Sequence, residues 1–161
     1  MSEPSTERVA TFIAAHTLDA EIISTPDGVP TVETAALALG VEVDQIVKTL
    51  VFVDSQKRPV IAIACGLGKI DRHKLADAAN TSKLKLAPAD LVLETTGYSP
   101  GGVAPIDLPD GIRVIVDRCV AAQDVVYGGS GTDLHMMRIR TKDIIRLNAA
   151  SIGDILQAGS P

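Results

Sequence analysis

Four features of this sequence have residue types and spacing that could do chemistry. Lys48 interrupts an apolar run, IVKTLVF; GYSPGGVAP at 97–105 holds three glycines and two prolines; GGSGTD follows at 128–133; and His135 stands just beyond it. Glycine-rich loops let backbone N–H groups come close to a ligand, forming concave sites for a carbonyl oxygen or a phosphate. A wide surface turn accounts for GYSPGGVAP equally well. Lys48 belongs either on a solvent face or at a pocket rim. A histidine that opens an alternating strand is more often a hydrogen-bonded structural residue than a reactive one.

Familiar catalytic patterns are missing. Gly66-Leu67-Gly68-Lys69 lacks the spacing and the hydroxyl residue of a P-loop, and GGSGTD lacks the third glycine of a dinucleotide turn. No Ser-His-Asp set stands out. His16, His73 and His135 have neither HxxxH nor HxH spacing, which argues against a dedicated zinc site, and no cofactor is expected. Cys65 and Cys119 each follow an apolar stretch and form no CxxC pair, so they read as separate, reduced, buried thiols of a cytoplasmic protein.

The elements that must position these residues follow from the pattern. Residues 5–16 put Val9, Phe12 and Ile13 on one helical face, with Ser5 or Thr6 as cap. A short strand at 21–24 leads to a loop forced by Pro26, Gly28 and Pro30. Thr31 caps a second helix that Gly40 ends. The β-branched runs 47–54 and 59–66 predict a hairpin whose second strand is buried on both faces. Asp71 caps a helix carrying Leu75 and Ala78–Ala79 inward. KLKLA reads as a short strand, and Pro88 opens a helix over 88–95. Strands follow at 112–117, 124–129 and 134–140, and TKDIIRLN and ASIGDIL read as closing helices. Helices and strands mix without βαβ alternation, so the expected class is α+β: one domain, 1–161, with a mixed curved sheet flanked by helices.

Composition narrows the function. The 161 residues are 46% apolar and 22% charged, enough for a real core. No apolar run approaches the roughly 18 residues a bilayer span needs, and the polar, acidic start does not read as a signal peptide. Phe12, Phe52, Tyr98 and Tyr127 are the aromatics and Trp is missing, which argues against reading single strands by base stacking. A net charge of −5 argues against a general nucleic-acid coat protein. The basic residues are unevenly spread, however. Lys69, Arg72, Lys74, Lys83 and Lys85 lie together against only Asp71 and Asp77, either as a phosphate-contacting surface or as a solvated helix face.

Taken in order, VKTLVF, IAIACG, D-x-x-K-L-A, G-Y-x-P-G-G-V-x-P, V-x-x-G-x-G-x-x-x-H and D-I-I-R-L resemble the YbaK/prolyl-tRNA-synthetase-associated editing domain family. The match runs from about residue 8 to 147, and GYSPGGVAP is its most specific element. The resemblance implies a compact, partly barrel-like α+β domain that hydrolyses the ester joining a wrong amino acid to tRNA. It implies action in trans, as freestanding members do, and, as an alternative, an inactive tRNA-binding or regulatory module of the same fold. Its partners would be the acceptor end of an aminoacyl-tRNA and a synthetase, with neither DNA nor a membrane.

By that resemblance Lys48 matches the active-site lysine, implied to hold the backbone or terminal-nucleotide end of the substrate. Gly101 and Gly102 match the loop that lines the aminoacyl pocket and faces the ester carbonyl, stiffened by Pro100 and Pro105. Gly129 and Gly131 match the second loop. His135 matches a histidine found in part of the family, implied to orient the carbonyl or water. Members specialised for cysteine have a shorter segment here without it, so this chain leans toward alanine, serine, threonine or a similar small residue. Leu50, Val103 and Ile63 are candidate pocket walls, though core packing explains them as well. Tyr98, beside the main loop, is the aromatic expected against the terminal base.

Overall fold

A computed structural model gives the structure of residues 4–29 and 31–159; the loop proline expected at position 30 lies outside the described residues. The hairpin β2 (Val47–Val53) and β3 (Pro59–Cys65) forms as the β-branched runs predict, pairing Lys48 with Ala64 and Val53 with Pro59. Around it a five-stranded sheet is ordered β4-β2-β3-β5-β8, where β4 is Lys85–Leu86, β5 is Arg113–Asp117 and β8 is Ser151–Gly153. β4 joins the edge of β2 antiparallel, whereas β5 and β8 add in parallel.

β3 is buried on both faces, as expected of a central strand flanked in part by parallel partners. Ile61, Ile63 and Cys65 enter the main core, while Val60 and Ala62 face a second cluster with Leu75, Ala76 and Ile115. The helix that supplies Leu75 is α3 (Arg72–Ala78), with Asp71 accepting from the His73 and Lys74 N–H groups. Ala76 and Ala79 turn inward and Ala78 stays exposed, one step from the expected pair.

A second, three-stranded antiparallel sheet has the order β1-β7-β6, with β1 at Ala20–Ser24, β6 at Val125–Gly129 and β7 at His135–Arg140. The sheets meet where Ile46 bridges Tyr127 in parallel, but they do not close into a barrel. Gly128 allows that approach: a Cβ there would lie 3.0 Å from Val47 Cγ2.

Helices cover this frame: α1 (Pro4–Ala15), α2 (Val32–Leu39), α4 (Ala89–Thr96), α5 (Arg118–Ala121) and α6 (Thr141–Leu147). α2 is bounded by the expected Thr31 and Gly40: Thr31 forms a reciprocal box with Thr34, and Gly40 sits at φ 68°. α1 begins at Pro4, so Ser5 and Thr6 lie inside it instead of capping it. Pro88 takes the N-cap of α4.

ASIGDIL is no helix: Ser151–Gly153 extends the sheet beside β5, and Asp117 Oδ1 accepts the Ile155 N–H at 2.8 Å. An open strand edge and a buried carboxylate satisfy its backbone better than one short turn could. The cysteines are not separate thiols. Cys65, ending β3, and Cys119, in α5, are joined by a disulfide with Cα atoms 6.3 Å apart.

Candidate functional site

Lys48, His135 and the glycine loop converge where the two sheets meet. They line one cavity of about 300 Å³ between α2, the head of β2 and the β6–β7 turn. Val32 and Ala35 from α2, Ile46, Leu50, Val103 and Met136 give it aliphatic walls. Polar groups gather beside them: Lys48, Thr132, Asp133, His135 and the backbone of Gly101 and Gly129.

Lys48 is half-buried, and burial lowers its pKa below the usual lysine value. Its Nζ donates to the Gly68 carbonyl at 2.5 Å, which fixes the ammonium and leaves two of its three N–H bonds for other acceptors. His135 Nδ1 lies 2.8 Å from Thr132 Oγ1, and that same oxygen accepts the Leu134 N–H at 3.2 Å. The turn thus fixes the imidazole through one ring nitrogen and leaves Nε2 uncommitted.

The two glycine loops pack backbone against backbone. Gly131 N–H donates to Gly102 O at 2.9 Å, and a Cβ on Gly102 would sit 2.8 Å from the Gly131 carbonyl. A Cβ on Gly129 would lie 2.5 Å from Val103 O. Close approach explains these glycines without any ligand. Gly101 differs: it is exposed, open around Cα and at φ 84°. A second cavity of about 320 Å³ opens on its other side, so Gly101, Thr132 and Asp133 form a wall shared by both.

The aminoacyl-tRNA editing domain family matches residues 26–147, three quarters of the chain and every residue of this cavity. The chain belongs to that family. Among its relatives is a proline–tRNA ligase of Pelotomaculum thermopropionicum, 31% identical over 83% of this chain but only 23% of the ligase. Another from Streptococcus sanguinis is 28% identical over 85% of this chain and 23% of the ligase. This editing domain therefore spans about a quarter of the length of the ligases it matches. It also superposes on the crystal structure of a protein proposed as a trans-editing enzyme for prolyl tRNA synthetase. That comparison has a TM-score of 0.87 and 26% identity, covering 98% of this chain and all of the other. Hypothetical protein APE2540 gives a TM-score of 0.84 at 29% identity, covering 93% and 99%.

The editing domain distributes the expected residues unevenly. Lys48, Leu50, Gly101, Val103, Gly129 and His135 share the first cavity, whereas Pro100, Gly102 and Gly131 line the second. The Gly102 N–H donates to Ser99 O at 3.0 Å. Pro105 and Ile63 are buried outside the cavity. Tyr98 is also displaced from its expected place against a base. Its ring is wholly buried under Arg8, its hydroxyl donates to Ile106 O at 3.0 Å, and burial raises its pKa.

The basic cluster is split by the strand register. Lys69 follows Gly68, the residue that holds Lys48, whereas Lys85 pairs with Val53 at the other end of β2. Lys48 and Val53 lie five residue steps apart along β2, roughly 17 Å. Lys74 is engaged by Asp154 at 3.4 Å and by the Leu156 carbonyl at 2.9 Å; Arg72 and Lys83 are exposed. Sequence reading missed the α2 face, Thr132 and Asp133. The spacing of Val32 and Ala35 was visible, but which sheet end they would cover was not. Among the described residues no cluster of three or more His, Cys, Asp or Glu could hold a metal, and no helix is long and apolar enough to cross a membrane.

Proposed function

We propose that this editing domain acts in trans as a deacylase, hydrolysing the ester of a tRNA mischarged with a small amino acid. The observation that carries the reading is the shared cavity: one lysine, one histidine and a glycine backbone beside aliphatic walls. An aminoacyl ester is already activated, so positioning it and polarising its carbonyl suffices. Lys48 supplies fixed positive charge for the terminal-nucleotide end or the developing oxyanion. A neutral His135 that accepts from Thr132 Oγ1 at Nδ1 carries its ring proton on Nε2, where it serves as a donor to the carbonyl. Water attacks the carbonyl carbon, the ester C–O bond breaks, and the departing ribose oxygen takes up the proton that the water loses, directly or relayed by the neighbouring ribose hydroxyl, releasing the free amino acid and uncharged tRNA.

The aliphatic walls act as a size filter. A synthetase discriminates a missing methylene by only about 1–3 kcal/mol, so a second, smaller site is needed to remove what it accepts wrongly. The ligand is then the acceptor end of an aminoacyl-tRNA in the cytoplasm, with a synthetase as the partner that generates the error.

The test is a panel of tRNAs charged with correct and incorrect amino acids, followed for ester loss. Hydrolysis of a mischarged pair by the wild-type chain, lowered about 10²-fold in Lys48→Ala, supports the reading. Binding without ester loss across the full panel replaces it with a tRNA-binding module.

A further inference from the structure

We propose that Arg8 is a positioning residue of the editing site, clasping both ends of the 97–106 loop and so holding Gly101 in the wall between the two cavities. Arg8 precedes the stretch that matches the family, 26–147. Its kinetic consequence rests on the deacylase reading; its structural consequence rests on geometry alone.

One guanidinium makes all the contacts. Nη1 donates to the Thr96 carbonyl, just before the loop, at 3.1 Å. Nε donates to Asp107 Oδ2 at 2.6 Å and Nη2 to the Asp107 carbonyl at 2.5 Å, just after it. Between these stems its carbon lies 4.2 Å from the Tyr98 ring centroid, and Tyr98 in turn bonds Ile106 O. Gly97 leaves room for this: at φ 78°, a Cβ there would fall 2.5 Å from Nη1. Asp107 sits at φ 53°, a conformation that a non-glycine residue keeps only when its surroundings hold it.

A simple surface ion pair would do little. Here the pair is about one-third exposed on each side, and the planar fork also reaches two carbonyls and a ring, which an ammonium cannot reproduce. The loop has other ties: Asn148 Nδ2 donates to Pro105 O at 2.8 Å and Gly131 to Gly102 O. Neither of them holds the stems at 96 and 107.

The test compares wild type, Arg8→Ala and Arg8→Lys in the full chain by hydrogen-exchange mass spectrometry and by deacylation kinetics on whichever mischarged tRNA the panel identifies as a substrate. For Arg8→Ala we expect the peptide spanning 97–107 to exchange about tenfold faster while the 47–65 hairpin is unchanged. We also expect kcat to fall at least about fivefold with KM within about twofold. Arg8→Lys should behave like Arg8→Ala. Millimolar guanidinium should restore part of the activity to Arg8→Ala and none to Lys48→Ala. If 97–107 exchanges like wild type, the clasp is overturned; if exchange rises but kcat holds, the positioning role is overturned. Should Arg8→Ala not fold, Asp107→Asn, which weakens the ion pair and keeps the stacking, is judged by the same criteria. A wild-type chain inactive on every tRNA defeats the deacylase reading, and the exchange arm then decides the clasp alone.

Discussion

Lys48 Nζ donates to the carbonyl of Gly68, twenty residues on in the sequence, across the open end of the β2–β3 hairpin. The amine is thereby fixed at the rim of the cavity instead of trailing into solvent.

Lys48→Met should keep the fold and lower kcat/KM for deacylation about 10²-fold, the scale seen when one preorganised electrostatic group is removed. It should also change the pH dependence of stability. The folded pKa is depressed, so between it and the ordinary lysine value the unfolded chain binds more protons, and stability rises with pH. Urea titrations toward pH 10.5 should show wild type gaining on Lys48→Met. A constant gap between the two would contradict burial as the cause.

The glycines should separate by mechanism. Gly102→Ala drives a Cβ into the Gly131 backbone and should cost about 1–3 kcal/mol. Gly101→Ala meets open space and should cost only the left-handed backbone penalty, about 1 kcal/mol. Thermal melts read the order, and the reverse order would refute the packed-loop explanation.

Thr132→Val removes the hydroxyl that holds His135. One hydrogen bond of about 0.5–1.5 kcal/mol corresponds to a several-fold drop in kcat, with the melting temperature little changed. Unaltered kinetics would mean that imidazole orientation is not limiting.

Charge reversal at Lys83 and Lys85 tests the split basic surface. Both are exposed, and Lys85 lies at the end of β2 far from Lys48. They should raise KM for charged tRNA more than they lower kcat and flatten its salt dependence. Unchanged KM would move the docking surface toward the Lys69 end.

The Cys65–Cys119 disulfide links residues 54 apart in the chain. In the chain-entropy account its loss costs roughly 4 kcal/mol. Denaturant curves with and without a dithiol reductant should differ accordingly; superimposed curves would show that the link contributes nothing to folding.

Much of the frame was legible locally. The β-branched runs set the hairpin, Thr31 and Gly40 bounded α2, and the motif order pointed to the family because loops and strands recur in one sequence pattern. What local pattern could not supply was partnership. Ser151–Gly153 is three residues long, too short for its own periodicity, and becomes a strand only because β5 offers an edge. Tyr98 opens the glycine loop in sequence, yet it is buried in the main core beneath Arg8, ninety residues earlier. The cysteines, each placed in apolar surroundings by sequence, meet only through the packing of α5 on β3. Residue types and spacing alone marked Lys48, His135 and two glycine loops as able to carry chemistry. Tertiary structure decided which of them share a cavity and which glycines merely let two backbones touch, because side-chain convergence is set by strand register and sheet packing over distances that no local spacing encodes.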